Sequence, residues 1–353
     1  MARPGWLPQH IPSLDGLRGL AIALVLLHHC APRLGPLGLG AEADWGWIGV
    51  NLFFVLSGFL ITGILLDERE QPHLFRNFYV RRGLRIWPLY FLVVPLVYFT
   101  FGPHANWRGA EPGWPYFLIY IQNLAPGLTG SLYPTWSLAI EEQFYLVWAP
   151  LVRWIPTRVL GVLLLAVLGS GAGLRGHWLG ALTPINTLFH LDGLAAGCLV
   201  ALAVRWWPGS GLRWRAGGGV AAVVGLGASV AAAMADPPML NTCLAIGFAG
   251  VLLVAASAPG VRGLSWRPLR QLGKISYGVY LIHMPIFALL GSFDVYMDRI
   301  QAGAAGDAAI VALRLVVTLA VATLLWHGFE RPLLGLKRYF RAPLIAGAPR
   351  GYA

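Results

Sequence analysis

LDGLRGLAIALVLLHHCA, residues 14–31, is an apolar run of helical length interrupted by an acid, a cation and two imidazoles. A bilayer crossing needs about 20 mostly apolar residues. A secretory leader has a similar apolar centre, but Asp15, Arg18, His28 and His29 break it and no small-residue cleavage pattern follows. The run therefore reads as a first transmembrane helix. On a helix turning about 100° per residue, Arg18 and His29 are related by about 1100°, which leaves them only about 20° out of register. Asp15, Ile22 and Val25 share that face, and His28 points about 80° away on its other side.

Nine further apolar segments follow, at about 47–66, 84–101, 138–153, 158–172, 187–204, 216–235, 239–258, 275–292 and 308–328. Lipid leaves the backbone little choice but helix, so the expected fold is an all-α polytopic membrane protein of about ten spans. Composition agrees: of 353 residues 57% are hydrophobic and 12% charged, against about 25% charged in soluble domains. Soluble globular enzymes, disordered tails and disulfide scaffolds are excluded on that ground. The net charge of +11 could suggest nucleic acid, but only Lys274 and Lys337 among the 26 basic residues are lysines and no basic helix appears. Anionic lipid or a phosphorylated substrate fits better. Cys30, Cys198 and Cys243 are scattered without CxxC spacing, which argues against a disulfide framework and a metal site.

Placing the N-terminus inside puts twenty basic residues in inner segments and only Arg33, Arg108, Arg175 and Arg299 in outer ones. The positive-inside rule thus supports two cytoplasmic termini. The stretch 114–124 is too short to span, and counting it as a span would reverse every later loop. It reads as an interfacial or re-entrant outer element, with Trp107, Trp114, Tyr116 and Tyr120 suited to the headgroup zone. No internal repeat marks a second domain. The expected organisation is one transmembrane domain, with its core at about 14–334, and a short basic cytoplasmic tail at 335–353.

Asp15, Arg18, Glu141, Glu142, Asp192, Arg314 and Glu330 lie in or beside apolar spans, where an ionised group costs about 2–4 kcal/mol or more unless paired or hydrated. Several are therefore expected to face one polar cavity. VNLFFVLSGFLIT, 50–62, carries a Ser57-Gly58 notch that reads as close helix packing. In FYVRRGLRIWPLY, 78–90, Arg82 and Arg85 share a helical face with Arg81 beside them. Guanidinium forks suit phosphate, and a lipid-phosphate anchor is the other reading. In PTWSLAIEEQFYLVW, 134–148, Ser137, Glu141 and Tyr145 stack one turn apart. Glu141 is placed to orient an imidazole or bind a sugar hydroxyl, or else to make a structural ion pair with Arg18 or another buried cation. Tyr277, Tyr280 and His283 precede a Pro285 kink, and Glu330 is placed at a depth close to Arg82 and Arg85.

Taken in order, LDGLRGLAIALVLLHH, GVNLFFVLSGFLIT, FYVRRGLRIWPLY, PTWSLAIEEQFYLVW, LGKISYGVYLIHMP and GFERPL resemble the membrane-bound acyltransferase-3 family from residue 14 to about 334. The resemblance implies ten helices in a bacterial cell membrane and transfer of an acyl group, usually acetyl, from cytoplasmic acyl-CoA to a hydroxyl, usually of a carbohydrate. It implies His29 as catalytic base, Arg18 supporting it, and Arg82 and Arg85 holding the CoA as co-substrate, with no permanent cofactor. Glu141 joins them as the residue expected to orient the imidazole or the acceptor. Asp15, Ser57, Tyr277, His283 and Glu330 are the expected tunnel or acceptor residues, with Tyr277, His283 or Ser57 available to the thioester oxyanion. FHLDGLAAG departs from the family, having His190 where it usually has arginine. Single-domain relatives of this kind acylate cell-surface glycans or macrolide-type small molecules. Buried Arg, His and Glu would equally suit a proton-coupled transporter or exporter, though transporters usually show internal repeats.

Overall fold

A computed structural model describes residues 3–8, 11–101, 113–178, 181–235, 237–257 and 261–340. Fourteen α-helices are defined there, with no strand among the described residues. They are α1 Pro12–Leu34, α2 Gly40–Asp44, α3 Ile48–Asp67, α4 Leu74–Phe101, α5 Trp114–Leu118, α6 Thr135–Trp154, α7 Thr157–Trp178 and α8 Leu191–Trp206. The remainder are α9 Gly211–Ala235, α10 Pro237–Ser257, α11 Arg267–Leu289, α12 Gly291–Arg299, α13 Gly303–Leu325 and α14 Arg331–Leu334.

Eight segments, built on α1, α3, α4, α7, α9, α10, α11 and α13, are long and apolar enough to cross a membrane. The chain is a multi-pass, all-α membrane protein. The two other expected segments form α6 and α8. Helix α6 holds Glu141, Glu142 and Arg153, and α8 has 16 residues, most of them buried by α3, α7 and α10. A helix surrounded by protein need not advertise itself to lipid.

Glycine sets the closest crossings. A Cβ at Gly16, Gly19 or Gly273 would run into backbone where α1 meets α11 and the turn before it, and one at Gly58 or Gly197 would do so where α3 meets α8. Small residues of this kind let helices approach backbone to backbone in lipid. Gly58 thus fits the packing reading of its notch, while its neighbour Ser57 turns toward Glu141.

Several boundaries differ from expectation for one reason: charge cut the apolar pattern where the helix continues. Helix α4 begins at Leu74 and α11 at Arg267, each well before its apolar stretch. Helix α7 runs on to Trp178 and takes Arg175 with it. Arg175, expected in an outer loop, is buried and ion-paired to Asp192 at 2.9 Å, with further bonds to Pro238 O, Phe189 O and Thr242. The helix tolerates this arginine because every arm of it is engaged. Helix α12 was not foreseen; its Asp294 pairs with Arg314 of α13, and Asp298 takes two bonds from Arg33 at 2.6 and 2.8 Å.

The 114–124 stretch does not span. It forms α5 and a compact turn, with Tyr120 at a φ of 55°. Phe117, Tyr120, Gln122 and Asn123 are buried against the bundle, while Tyr116, Leu118, Ile119 and Leu124 are exposed. Gln122 bonds Tyr90 and Thr135 O, Asn123 bonds Ile185 O and Thr187, and Gln143 reaches Tyr120 O and Asn123. Tyr120, expected among headgroups, is instead buried and stacked on Tyr90 with ring centroids 4.3 Å apart. Trp107 and Arg108, and Arg341 and Arg350 of the basic tail, lie outside the described residues. The first part of that tail, Gly335–Phe340, is a tight helical turn packed on α4.

Candidate active site

Helix α1 carries Arg18 and His29 into different places. Arg18, toward the start of the helix, lines a cavity together with Arg82 and Arg85 of α4, Ser57 of α3, Ser137 and Glu141 of α6, and Ser276, Tyr277 and Tyr280 of α11. His29, eleven residues on, lines a second cavity with His28, Trp47, Asn51, Tyr133, Trp136 and His190. At 1.5 Å per residue the two groups are separated by about 16 Å along the axis. Arg18 therefore lies at the arginine end, about three helical turns from the level of the imidazole. Val50 and Tyr280 line both cavities, so the two spaces abut across this pair.

Three of the expected cationic residues converge and one does not. Arg18 retains Asp15 as an ion-pair partner at 3.7 Å. Arg82 stacks over the Tyr145 ring at 4.1 Å, and its buried Nε has no partner. Arg85 completes the cluster. Arg81 is diverted, donating to Glu68 and to Phe340 O. It fastens α4 to the chain around it instead of lining the arginine cavity.

Glu141 belongs to the arginine cavity. It accepts a bond from Ser57, which in turn accepts one from Tyr145 at 3.2 Å, tying α3 to α6. The expectation that Glu141 orients the imidazole is not met by this geometry. His29 Nδ1 bonds Val25 O at 2.9 Å, one turn back on its own helix. A carbonyl can only accept, so Nδ1 carries the hydrogen in the neutral ring and Nε2 is the basic atom. His28 is held the same way, with Nδ1 2.7 Å from Asp44 O.

The expected oxyanion donors are all engaged. Tyr277 donates to Ile86 O at 2.7 Å and Ser57 to Glu141. His283 is buried beside His29 with ring centroids 4.8 Å apart. Its Nδ1 bonds Tyr280 O at 2.7 Å, and its Nε2 is buried without a partner. Tyr277 and Ser57 remain as cavity lining. Glu330 ends a π-helical turn, Trp326–Glu330, and its Oε1 faces the Gly278 position of α11 without a hydrogen-bond partner. Sequence reasoning missed the seam of Val50 and Tyr280, and the wall formed by Trp47, Tyr133 and Trp136. Among the described residues no cluster of three metal-ligating side chains forms.

A cationic cavity joined to one holding a carbonyl-oriented imidazole is an arrangement suited to bringing a phosphorylated donor to a general base. A family model described as an acyltransferase domain matches residues 11–327, and the chain belongs to that family. Among curated relatives, the peptidoglycan O-acetyltransferase OatA of Listeria monocytogenes is 32% identical over 326 residues, which is 80% of this chain and 50% of that protein. The putative peptidoglycan O-acetyltransferase YrhL of Bacillus subtilis is 27% identical over 92% of this chain and 55% of its own length. The O-acetyltransferase OatA of Staphylococcus aureus is 28% identical over 82% and 52%. The chain spans about half the length of these relatives. No solved structure matches it.

Proposed function

We propose that the protein is a membrane O-acetyltransferase that moves an acetyl group from cytoplasmic acyl-CoA to a hydroxyl of a cell-surface glycan, with His29 as general base. The observation that carries this reading is the contact between the three-arginine cavity and the histidine cavity across Val50 and Tyr280. Arg18, Arg82 and Arg85 would take the donor's phosphates in charge-assisted bonds, and the extended pantetheine arm would cover the distance to His29. Neutral His29 Nε2 takes the acceptor's hydroxyl proton as that oxygen attacks the thioester carbonyl. The carbon–sulfur bond breaks, and the thiolate collects the proton from His29 to leave free CoA. The names of the relatives support a glycan acceptor.

The deciding experiment incubates membranes containing the protein with acetyl-labelled CoA and follows the label. Label in the glycan fraction that depends on His29 supports the proposal. Label in a lipophilic macrolide alone redirects the acceptor, and solute movement in liposomes without thioester consumption overturns the enzyme reading.

A further inference from the structure

The arginine cavity carries too little positive charge for the whole of its proposed donor. Glu141 lines it beside Arg18, Arg82 and Arg85, and Arg18 also holds Asp15 at 3.7 Å. What is left over suits a diphosphate. Coenzyme A has in addition a 3′-phosphate on its ribose, a monoester with a charge of about −1.5 to −2 at pH 7. The molecule is a linear string of acyl thioester, pantetheine, diphosphate and 3′-phosphoribose. With the thioester toward His29 and the diphosphate on the arginines, the 3′-phosphate falls beyond the arginines, at the cytoplasmic mouth. A further cation is called for there.

The chain that follows α14 brings one. The turn Gly335–Phe340 packs on α4, and Arg81, one residue before Arg82, donates to Phe340 O at 2.9 Å, fixing the turn where the arginine face begins. Lys337 lies on this turn, partly buried, with Arg85, Arg82, Arg81 and Arg18 all close enough to repel its ammonium. The acids of this end are engaged elsewhere. Asp67 pairs with Arg3 and Arg205, Glu68 with Arg81, and Glu70 with Arg69 and Arg153, while Glu330 is attracted to Arg85. Among the described residues no carboxylate pairs with Lys337. A cation held among four others is unfavourable until an anion joins them. A compact ammonium on a flexible stem also suits a terminal phosphate, which needs a point charge rather than a planar fork. We infer that Lys337, carried by the Gly335–Phe340 turn, is the subsite for the 3′-phosphate of the acyl-CoA donor. This rests on the proposed donor and adds to it a recognition element outside the arginine cavity. Lys337 is a specificity residue: it touches the far end of the donor and takes no part in breaking the thioester.

The test is equilibrium binding of CoA and of 3′-dephospho-CoA to the full chain in detergent, by isothermal titration, so that no acceptor is needed. The protein is expected to bind CoA at least tenfold more tightly than 3′-dephospho-CoA. Lys337→Ala should weaken CoA about tenfold and change 3′-dephospho-CoA less than twofold, which brings the two ligands together and also reports that the variant is folded. Lys337→Arg, which keeps the charge, should retain most of the preference. Arg85→Ala should weaken both ligands by the same factor and leave their ratio intact. Arg338→Ala, at an exposed neighbour on the same turn, should leave both constants within twofold. Equal affinity for the two ligands in the unaltered protein, a preference that survives Lys337→Ala, or one that falls equally in Arg338→Ala overturns the subsite and leaves the donor standing. Binding of neither ligand overturns the acyl-CoA donor itself, and the subsite with it.

Discussion

His29 and His28 are adjacent in sequence, line one cavity and use the same backbone-carbonyl device, so the pair isolates what each ring does. Loss of a general base typically costs about 10²- to 10⁴-fold in rate. His29→Ala is accordingly expected to lower kcat by that factor with acyl-CoA binding retained, measured by isothermal titration, while His28→Ala keeps kcat within about tenfold. Equal kcat losses would remove the assignment of the base. At the other cavity, Arg82→Ala and Arg85→Ala should chiefly raise the KM for acyl-CoA, since they line the cavity of Arg18, itself about 16 Å along α1 from His29, and are proposed to meet the donor rather than the reacting atoms. Lys should restore only part of the affinity at either site. It keeps the charge but not the planar fork, and at position 82 it also gives up the stacking over Tyr145. Full restoration by Lys at both positions would mean that general charge attraction suffices.

The helices are set by glycine crossings at a few points and by polar ties at others, and the two kinds of contact were unequally visible in the sequence. The Arg82 and Arg85 face could be read because three residues of spacing fixes a shared side of one helix. The shared direction of Arg18 and His29 followed from the same arithmetic, but not that two cavities would receive them. Val50 and Tyr280 carry no charge and are 230 residues apart, so nothing local marks the seam they form. Arg175 was read as a loop residue because its partner Asp192 lies on another helix, and periodicity cannot register a charge that tertiary pairing neutralises. The glycine crossings give a test at this scale. Gly273→Ala forces a Cβ into the Asp15 carbonyl of α1 and should destabilise by about 1–3 kcal/mol, as overpacking does. Gly227→Ala on α9 meets nothing within 4 Å and should be neutral or stabilising by up to about 1 kcal/mol. Thermal unfolding in one detergent would compare them, and equal shifts would refute the close-crossing account.

The molecule as a whole has two differently built ends, and the direction of α1 connects them to the proposed chemistry. At the end where α1 begins, Arg3 and Arg205 share Asp67, and Arg81 holds Glu68. At the end where it finishes, Arg33 joins Asp298 and Asp307 while Arg314 joins Asp294. Basic residues outnumber acidic ones chiefly at the first end, which the positive-inside rule assigns to the cytoplasm. That orientation is a requirement of the mechanism, because CoA is cytoplasmic and the arginine cavity must be reached from its side. Single cysteines in a background lacking Cys30, Cys198 and Cys243 test it directly. Arg76→Cys and Arg213→Cys, both at exposed positions, should react with a membrane-impermeant maleimide only after the cells are opened. Ala41→Cys and Arg299→Cys, also exposed, should react in intact cells. The opposite pattern would place Arg18, Arg82 and Arg85 toward the outside, where they could not receive a cytoplasmic donor, and the proposed direction of acetyl transfer would fail with it.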